Sequence, residues 1–348
     1  MIVVGVLIVM MTACTVKMAP MLQTHDDQTY ESEFFAMGTI ITQKVTGDSG
    51  QAATDEVIEK IKSLEKLLTF KEPMGDVYKL NKNAGKKNVE LDPVTIEIIK
   101  KAIRVAELSE GAYDITVGPL VQLWARGAKH KHIPSKEELH KLLPLINYKD
   151  IYVDKHLGGL KRAGQMLDLG GIAKGYAGDV AIQIYKKHKI QSAIINLGGN
   201  VVTLGNKTDG NSWKIGINNP RAKDNATQDE IMLGYIAVKD KAVSTAADNQ
   251  RYFEKDGQRY HHILDTKTGY PVKSDLMSVT LVADTSLDAD ALDTAVFILG
   301  LEKGRELLRQ YGNIEAIFVT TDKHIYVTDG LKDKFMFHDA SNEYQYIQ

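Results

Sequence analysis

Arg251-Tyr-Phe-Glu-Lys-Asp256-Gly257-Gln-Arg-Tyr260-His-His-Ile-Leu264 sets two β-forming runs on either side of Asp-Gly, a dipeptide that tolerates the positive φ angles of a two-residue hairpin turn. Working outward, strand-like runs at 193–197, 213–217 and 232–238 precede this hairpin, and another at 277–283 follows it. A helix at 286–299, stopped by Gly300, and a closing hairpin around Thr321-Asp322 complete the second half. In the first half, Phe34-Phe-Ala-Met-Gly-Thr-Ile-Ile-Thr42 reads as one β-rich run, followed by Val57, Ile61, Leu64 and Leu68 at helical spacing. Asp92-Pro93 opens a second helix that ends at Gly111, and Ser135 with Glu138 has capping-box spacing. Helices mixed with antiparallel hairpins predict an α+β fold with mixed or antiparallel sheets and flanking helices, without the βαβ rhythm of a doubly wound sheet.

Composition narrows the chemistry. The 348 residues are 43% hydrophobic and 25% charged, as in ordinary globular proteins. Lys+Arg at 43 against Asp+Glu at 45 leaves a net charge of -2, so no overall field favours nucleic acid as a partner. Cys14 is the single cysteine, which excludes an internal disulfide and any Cys-rich zinc or iron–sulfur site. It ends an apolar run, Met1-Ile-Val-Val-Gly-Val-Leu-Ile-Val-Met-Met-Thr-Ala-Cys14, too short to span a bilayer, for which about 20 residues are needed. Small residues before a cysteine resemble a bacterial lipobox. The expected organisation is a lipoprotein signal segment at 1–14, a tether at 15–32, a catalytic unit at 33–335 and a tail at 336–348, in an exported protein anchored to the membrane through Cys14. The Lys129-His-Lys-His132 loop reads as solvated surface.

Four stretches carry candidate chemistry. In Leu287-Asp-Ala-Asp-Ala-Leu-Asp-Thr-Ala-Val-Phe-Ile-Leu-Gly300, Asp290, Asp293 and Thr294 stand at i, i+3 and i+4, so their oxygens share one helix face. An all-oxygen set of this kind suits Mg2+, although a first-turn acidic cluster would also satisfy the helix dipole. Met166-Leu-Asp-Leu-Gly-Gly-Ile-Ala-Lys-Gly-Tyr-Ala-Gly178 runs from an apolar strand end through glycines into a helix. That junction reads as a phosphate-type loop, or as glycines placed for tight packing. It has neither the Walker Lys-Ser/Thr nor G-x-G-x-x-G. Gly111-Ala-Tyr-Asp-Ile-Thr-Val-Gly-Pro-Leu-Val-Gln-Leu-Trp124 offers two rings for stacking and a carboxylate for a ribose hydroxyl. His261 and His262 point to opposite faces of a strand, so at most one of them enters a given site. No H-E-x-x-H or G-x-S-x-G is present.

Taken in order, Ala36-Met-Gly-Thr39, Gly111-Ala-Tyr-Asp-Ile-Thr-Val-Gly-Pro-Leu120, Asp168-Leu-Gly-Gly-Ile-Ala-Lys-Gly-Tyr176, His262-Ile-Leu-Asp265 and Ala289-Asp-Ala-Leu-Asp-Thr-Ala295 resemble the signature blocks of the ApbE family of FAD:protein FMN transferases. The resemblance implies a two-lobed, T-fold-related α+β architecture. It also implies a Mg2+-dependent transfer of FMN from FAD, through a phosphoester bond, to a Thr or Ser hydroxyl of a partner protein, with release of AMP. By the same resemblance Gly171 (through its carbonyl), Asp290, Asp293 and Thr294 hold the metal, and Met37, Phe70, Ala112, Tyr113, Asp114, Asp168, Lys174 and Leu264 contact FAD. His262 is the expected base, with Asp293 as rival. Acceptors of the family carry a Ser/Thr-Gly-Ala-Thr motif, in subunits of sodium-pumping quinone oxidoreductases and related electron-transfer complexes. Departures from the pattern are Leu264-Asp265-Thr266 in place of Ile-Asp-Pro and Ala246-Ala247 in place of Ser-Gly. Two other readings remain open: a metal-dependent FAD pyrophosphatase with water as acceptor, and a lipid-anchored FAD-binding protein without turnover.

Overall fold

In the computed structural model, which describes residues 28–128, 131–223, 225–227 and 229–347, the run at 34–42 is a hairpin rather than one strand. β1 (Thr29–Ala36) and β2 (Thr39–Thr46) pair without a register break, leaving Met37 and Gly38 as a two-residue turn with φ of 51° and 71°. Positive φ at both positions is what a type I′ turn requires; Gly38 adopts it freely, and Met37 is held there by the paired strands on either side.

The chain continues through α1 (Gly50–Leu68), α2 (Asp76–Lys82), β3 (Val89–Glu90), α3 (Pro93–Leu108), α4 (Gly118–Ala128), α5 (Lys136–Leu142), β4 (Ile151–Val153), β5 (Leu157–Leu160) and α6 (Ala173–Lys187). It then forms β6 (Ser192–Leu197), β7 (Val201–Leu204), β8 (Trp213–Asn218), β9 (Met232–Val238), β10 (Ala242–Ala247), β11 (Tyr252–Lys255), β12 (Gln258–His261) and β13 (Leu276–Ala283). α7 (Ser286–Tyr311), β14 (Glu315–Thr320), β15 (His324–Val327), β16 (Phe335–Phe337) and β17 (Gln345–Ile347) end it. The local signals act as the sequence suggests. The Asp92 carboxylate accepts from the Val94 amide at 2.8 Å ahead of Pro93, and Ser135 and Glu138 form a reciprocal capping box.

Nine strands, in the order β1-β2-β6-β7-β10-β13-β14-β15-β17, make the central sheet, antiparallel throughout except for β15–β17. Its first face packs on α1, α3, α6 and α7 around Ile41, Ile61, Ile99, Leu281 and Phe297. Its second face is covered in part by the small sheet β16-β9-β8, with Trp213, Ile236 and Ile317 between the two. β13 is buried at every position because both of its faces are covered, which removes the alternation a half-exposed strand would show. A third cluster, Leu120, Leu123, Trp124, Leu139 and Leu264, holds α4, α5 and the β11–β12 hairpin together as a second lobe. The architecture is α+β, as the sequence predicts.

Three expectations about boundaries change. The first strand begins at Thr29, inside the expected tether, and residues 336–348 are no tail: β16 closes the small sheet and β17 forms an edge of the large one. Met166 to Leu169 is not a strand end; it is irregular backbone with one isolated bridge, from Met166 to Val117. The helix expected to stop at Gly300 does stop there: at φ 79° and ψ -176° the backbone leaves the helical region, and a second helical segment runs on to Tyr311, its Leu301 amide donating to the Asp275 carboxylate at 3.0 Å. The signal segment, Cys14 and most of the tether lie outside the described residues.

Candidate active site

The N-terminal half of α7 crosses the start of α6, and the crossing is close because α6 presents glycines. A Cβ at Gly175 would stand 2.7 Å from Asp290 Cβ and 2.9 Å from Leu287 Cα, and one at Gly178 would stand 2.7 Å from Ser286 Oγ. This approach gives Asp290 two partners on α6: Oδ2 accepts the Gly175 amide at 2.8 Å and Oδ1 accepts Lys174 Nζ at 3.0 Å. Asp290 thus caps a neighbouring helix as well as its own face. One turn on, Asp293 Oδ2 accepts Ser244 Oγ from β10 at 2.6 Å, and Oδ1 accepts Thr294 Oγ1 at 3.1 Å.

Both carboxylates are nearly closed to solvent, at 3% and 4% exposure. Burial and the charge of Asp290 raise the Asp293 carboxyl well above the usual carboxylate range, against the pull of Ser244, Lys174 and Thr294. Two buried carboxylates served by one ammonium group are short of positive charge. The loop before α6 adds one more oxygen: Gly171 lies beside Thr294 Oγ1 and the Tyr113 ring, and its carbonyl accepts the Tyr113 hydroxyl at 3.4 Å. Among the described residues no group of three His, Cys, Asp or Glu side chains forms a metal cage. Two carboxylates, a hydroxyl and a carbonyl fit a hard divalent cation that keeps part of its water or phosphate shell, as Mg2+ does. Replacing Ser244 with Ala frees one lone pair of Asp293 and loosens its orientation, so Mg2+ affinity, read as the rise in Tm on Mg2+ titration, is expected to fall about 10- to 100-fold. An unchanged titration curve would show that Ser244 does not support the cation site.

Further cations act on Asp168 and His262. Arg251 donates to the Gly38 carbonyl at 3.5 Å, and its backbone carbonyl accepts the His262 amide at 3.0 Å. Arg251 and Lys71 oppose the burial that raises the Asp168 carboxyl, whose Oδ1 accepts the Gly170 amide at 2.7 Å. His262 is an exposed residue; desolvation of its ring by the surrounding chain, then the charges of Arg251, His261 and Lys174, push it down to about 4. It is therefore a neutral imidazole at pH 7. Its neighbour His261 is buried, bonded through Nε2 to the Val272 carbonyl at 3.1 Å and packed edge-on against Phe297, so it is structural.

The remaining expected contacts divide. Tyr113 stands at Gly171, while Met37 and Phe70 are partly buried against the main core. Ala112 and Leu264 are buried, and Leu264 packs in the second lobe, so only their backbone is available to a ligand. Asp114 does not present a carboxylate to the cleft: Oδ1 accepts the Thr116 amide and hydroxyl and Oδ2 accepts the Tyr148 amide, which consumes it in holding two loops together. Three bonds thus engage the carboxylate expected to meet a ribose. Trp124 is likewise structural, its Nε1 donating to the Gly269 carbonyl at 2.7 Å while its ring lies 5.9 Å from Tyr260. At the start of α6, expected to be a phosphate-type loop, Asp290 occupies the Gly175 amide. Sequence reasoning missed Ser244, Lys71 and Arg251; only proximity to the Arg-Tyr-Phe strand start hinted at the last.

Comparison with known proteins places the chain among relatives. Residues 37–318 match the family model described as the ApbE family. The chain belongs to the ApbE family. Among relatives of this ApbE-family chain, the FAD:protein FMN transferase of Klebsiella pneumoniae is 34% identical over 92% of this chain and 98% of its own length. That of Treponema pallidum is 34% identical over 83% of each. Among solved structures, the ApbE protein of Thermotoga maritima superposes with a TM-score of 0.80 at 33% identity, covering 89% of this chain and all of that one. The flavin transferase ApbE of Vibrio cholerae gives 0.79 at 25% identity, covering 88% and 99%.

Proposed function

We propose that this protein transfers FMN from FAD to a Thr or Ser hydroxyl of an acceptor protein. The acceptor oxygen forms a bond to the phosphorus of the FMN half, the pyrophosphate P–O bond breaks, AMP leaves with the bridging oxygen, and the hydroxyl proton passes to a base. The observation that carries this reading is the buried oxygen cluster on α7 with Lys174 bonded to Asp290, together with the charges of Lys174 and Arg251 acting on the neutral imidazole of His262. Asp290, Asp293, Thr294 and the Gly171 carbonyl would hold Mg2+, which supplies charge neutralisation to a pyrophosphate. Lys174 and Arg251 bind and orient the phosphates, Met37, Phe70 and Tyr113 border the flavin nucleotide, and His262 takes the proton at its unprotonated ring nitrogen.

The test incubates the full chain with FAD, Mg2+ and a carrier domain bearing a Thr-Gly-Ala-Thr segment, then reads carrier mass and nucleotide products. Added FMN mass with AMP released is the expected result. Free FMN and AMP without a mass shift would establish a pyrophosphatase instead, and unreacted FAD held tightly a binding protein.

His262 gives a prediction of definite sign. Arg251 and Lys174 help to hold its pKa near 4 in the free protein, and the negative diphosphate of FAD opposes both charges, so FAD binding raises it. Its ring should titrate near pH 4 in the free protein and higher in the FAD complex, followed by NMR of the imidazole protons. A midpoint at the ordinary 6.5 that FAD leaves unmoved would remove His262 from the cleft.

The lipobox-like Thr12-Ala13-Cys14 supports an exported, lipid-anchored placement, and acceptors bearing the Ser/Thr-Gly-Ala-Thr motif fit that placement as membrane-associated electron-transfer subunits. Among the described residues no helix is long and apolar enough to cross a membrane.

A further inference from the structure

A groove of about 850 Å3 lies on the second face of the central sheet, away from the catalytic helices. Its floor is built by β1, β2, β6, β7 and β10, with Thr42, Asn196 and Thr245 upward, and its far wall is β8, with Lys214 and Asn218. Five neighbouring strands about 4.8 Å apart make the floor about 19 Å across, the length of about six extended residues. Charge is balanced: Glu31 and Glu33 stand against Lys44 and Lys214, and Glu31 is paired with Lys44 at 2.8 Å. The remaining polar lining is neutral amide and hydroxyl, which offers hydrogen bonds without selecting a charged ligand.

The groove and the active site share one wall. Asn249 and Gln250 line the groove, and the next residue is Arg251, which reaches the Gly38 carbonyl and whose charge acts on His262 and Asp168. Along the hairpin, the face that carries Glu33 and Thr42 continues to Phe35 and Ile40, a directly opposed cross-strand pair beside the Met37–Gly38 turn. These two large apolar side chains are 69% and 55% exposed. Adjacent exposed hydrophobes at the edge of a catalytic cleft mark a contact surface rather than ordinary scatter.

We propose that the groove receives an extended, uncharged segment of the acceptor polypeptide, with an apolar residue seated on Phe35 and Ile40, so that the hydroxyl to be modified passes the Met37–Gly38 turn into the active site. This rests on the transferase reading above. A small-molecule pocket is concave and mostly apolar; a neutral polar floor across several strands, ending in an apolar pair at the reaction site, matches a peptide strand with small uncharged side chains.

Thr42→Trp fills the floor and Phe35→Asp places a charge on the apolar pair; both positions are exposed, and neither belongs to the catalytic cluster. With the full-length protein, FAD, Mg2+ and the Thr-Gly-Ala-Thr carrier domain as probe, each variant should bind FAD within twofold of the parent and keep its kcat at saturating carrier. Its KM for the carrier should rise at least tenfold. A benzophenone attached at Thr42→Cys should crosslink the carrier, and excess unlabelled carrier should suppress that crosslink. Parent protein that modifies the carrier while both variants keep the parent KM, with no crosslink, would overturn the groove alone. Parent protein that binds FAD and leaves the carrier unmodified would overturn the transfer reading and the groove with it.

Discussion

Asp290→Asn is expected to lower FMN transfer about a thousandfold, because it removes one of the two negative charges available to a divalent cation while leaving nearly the same shape. The fold should tolerate it. The amide oxygen of Asn still accepts from the Gly175 amide, and the lost attraction to Lys174 is offset by the relief of repulsion on Asp293. Tm without Mg2+ is therefore expected within about 3 °C of the parent, while the rise in Tm expected of the parent on Mg2+ addition should be absent. Carrier mass and AMP release measure the first effect and thermal melts the second. A variant retaining the parent Mg2+-dependent rate would take the α7 carboxylates out of the mechanism.

Gly175→Ala should fail for a different reason. Its methyl would meet Asp290 Cβ at 2.7 Å and Leu287 Cα at 2.9 Å, and would come closer still to the Ser286 carbonyl oxygen, so helix backbones rather than flexible side-chain ends must yield. Overpacking of that kind is expected to cost about 3 kcal/mol in urea unfolding, and the retreat of α6 would withdraw Lys174 and the Gly175 amide from Asp290. Transfer activity falls with it. Gly171→Ala is the control: its methyl would lie 3.5 Å from Thr294 Oγ1 and the Tyr113 ring, an ordinary contact, so stability should stay within about 1 kcal/mol of the parent. Equal losses for the two substitutions would show that the α6–α7 approach is not what sets the geometry of the site.

The α7 cluster was legible because helical periodicity alone places Asp290, Asp293 and Thr294 on one face, and the structure gives them one environment. The hairpin at Asp256-Gly257 was legible because turn chemistry is local. The second hairpin escaped notice since Met37-Gly38 lacks the usual Asn or Asp, and its positive φ is imposed by pairing across β1 and β2. Ser244 and Arg251 were illegible for a more general reason: each acts through a contact between elements far apart in sequence, Ser244 with Asp293 and Arg251 with Gly38. The loop-tying bonds of Asp114 were illegible because a carboxylate in a loop has the same sequence appearance whether it faces a ligand or ties two loops together.

The two tryptophans of the chain stand in different clusters, Trp124 among the rings of the second lobe and Trp213 on the strand that walls the groove. Trp124 stacks on the hairpin whose two roots are Arg251 and His262, and Trp213 lies with its Nε1 buried and unpaired under the second face of the sheet. The molecule therefore carries two separate optical channels. With Trp213→Phe the remaining tryptophan emission reports on the packing of the second lobe, and with Trp124→Phe on the packing beneath the small sheet, so unfolding of the two parts can be followed separately from intrinsic fluorescence.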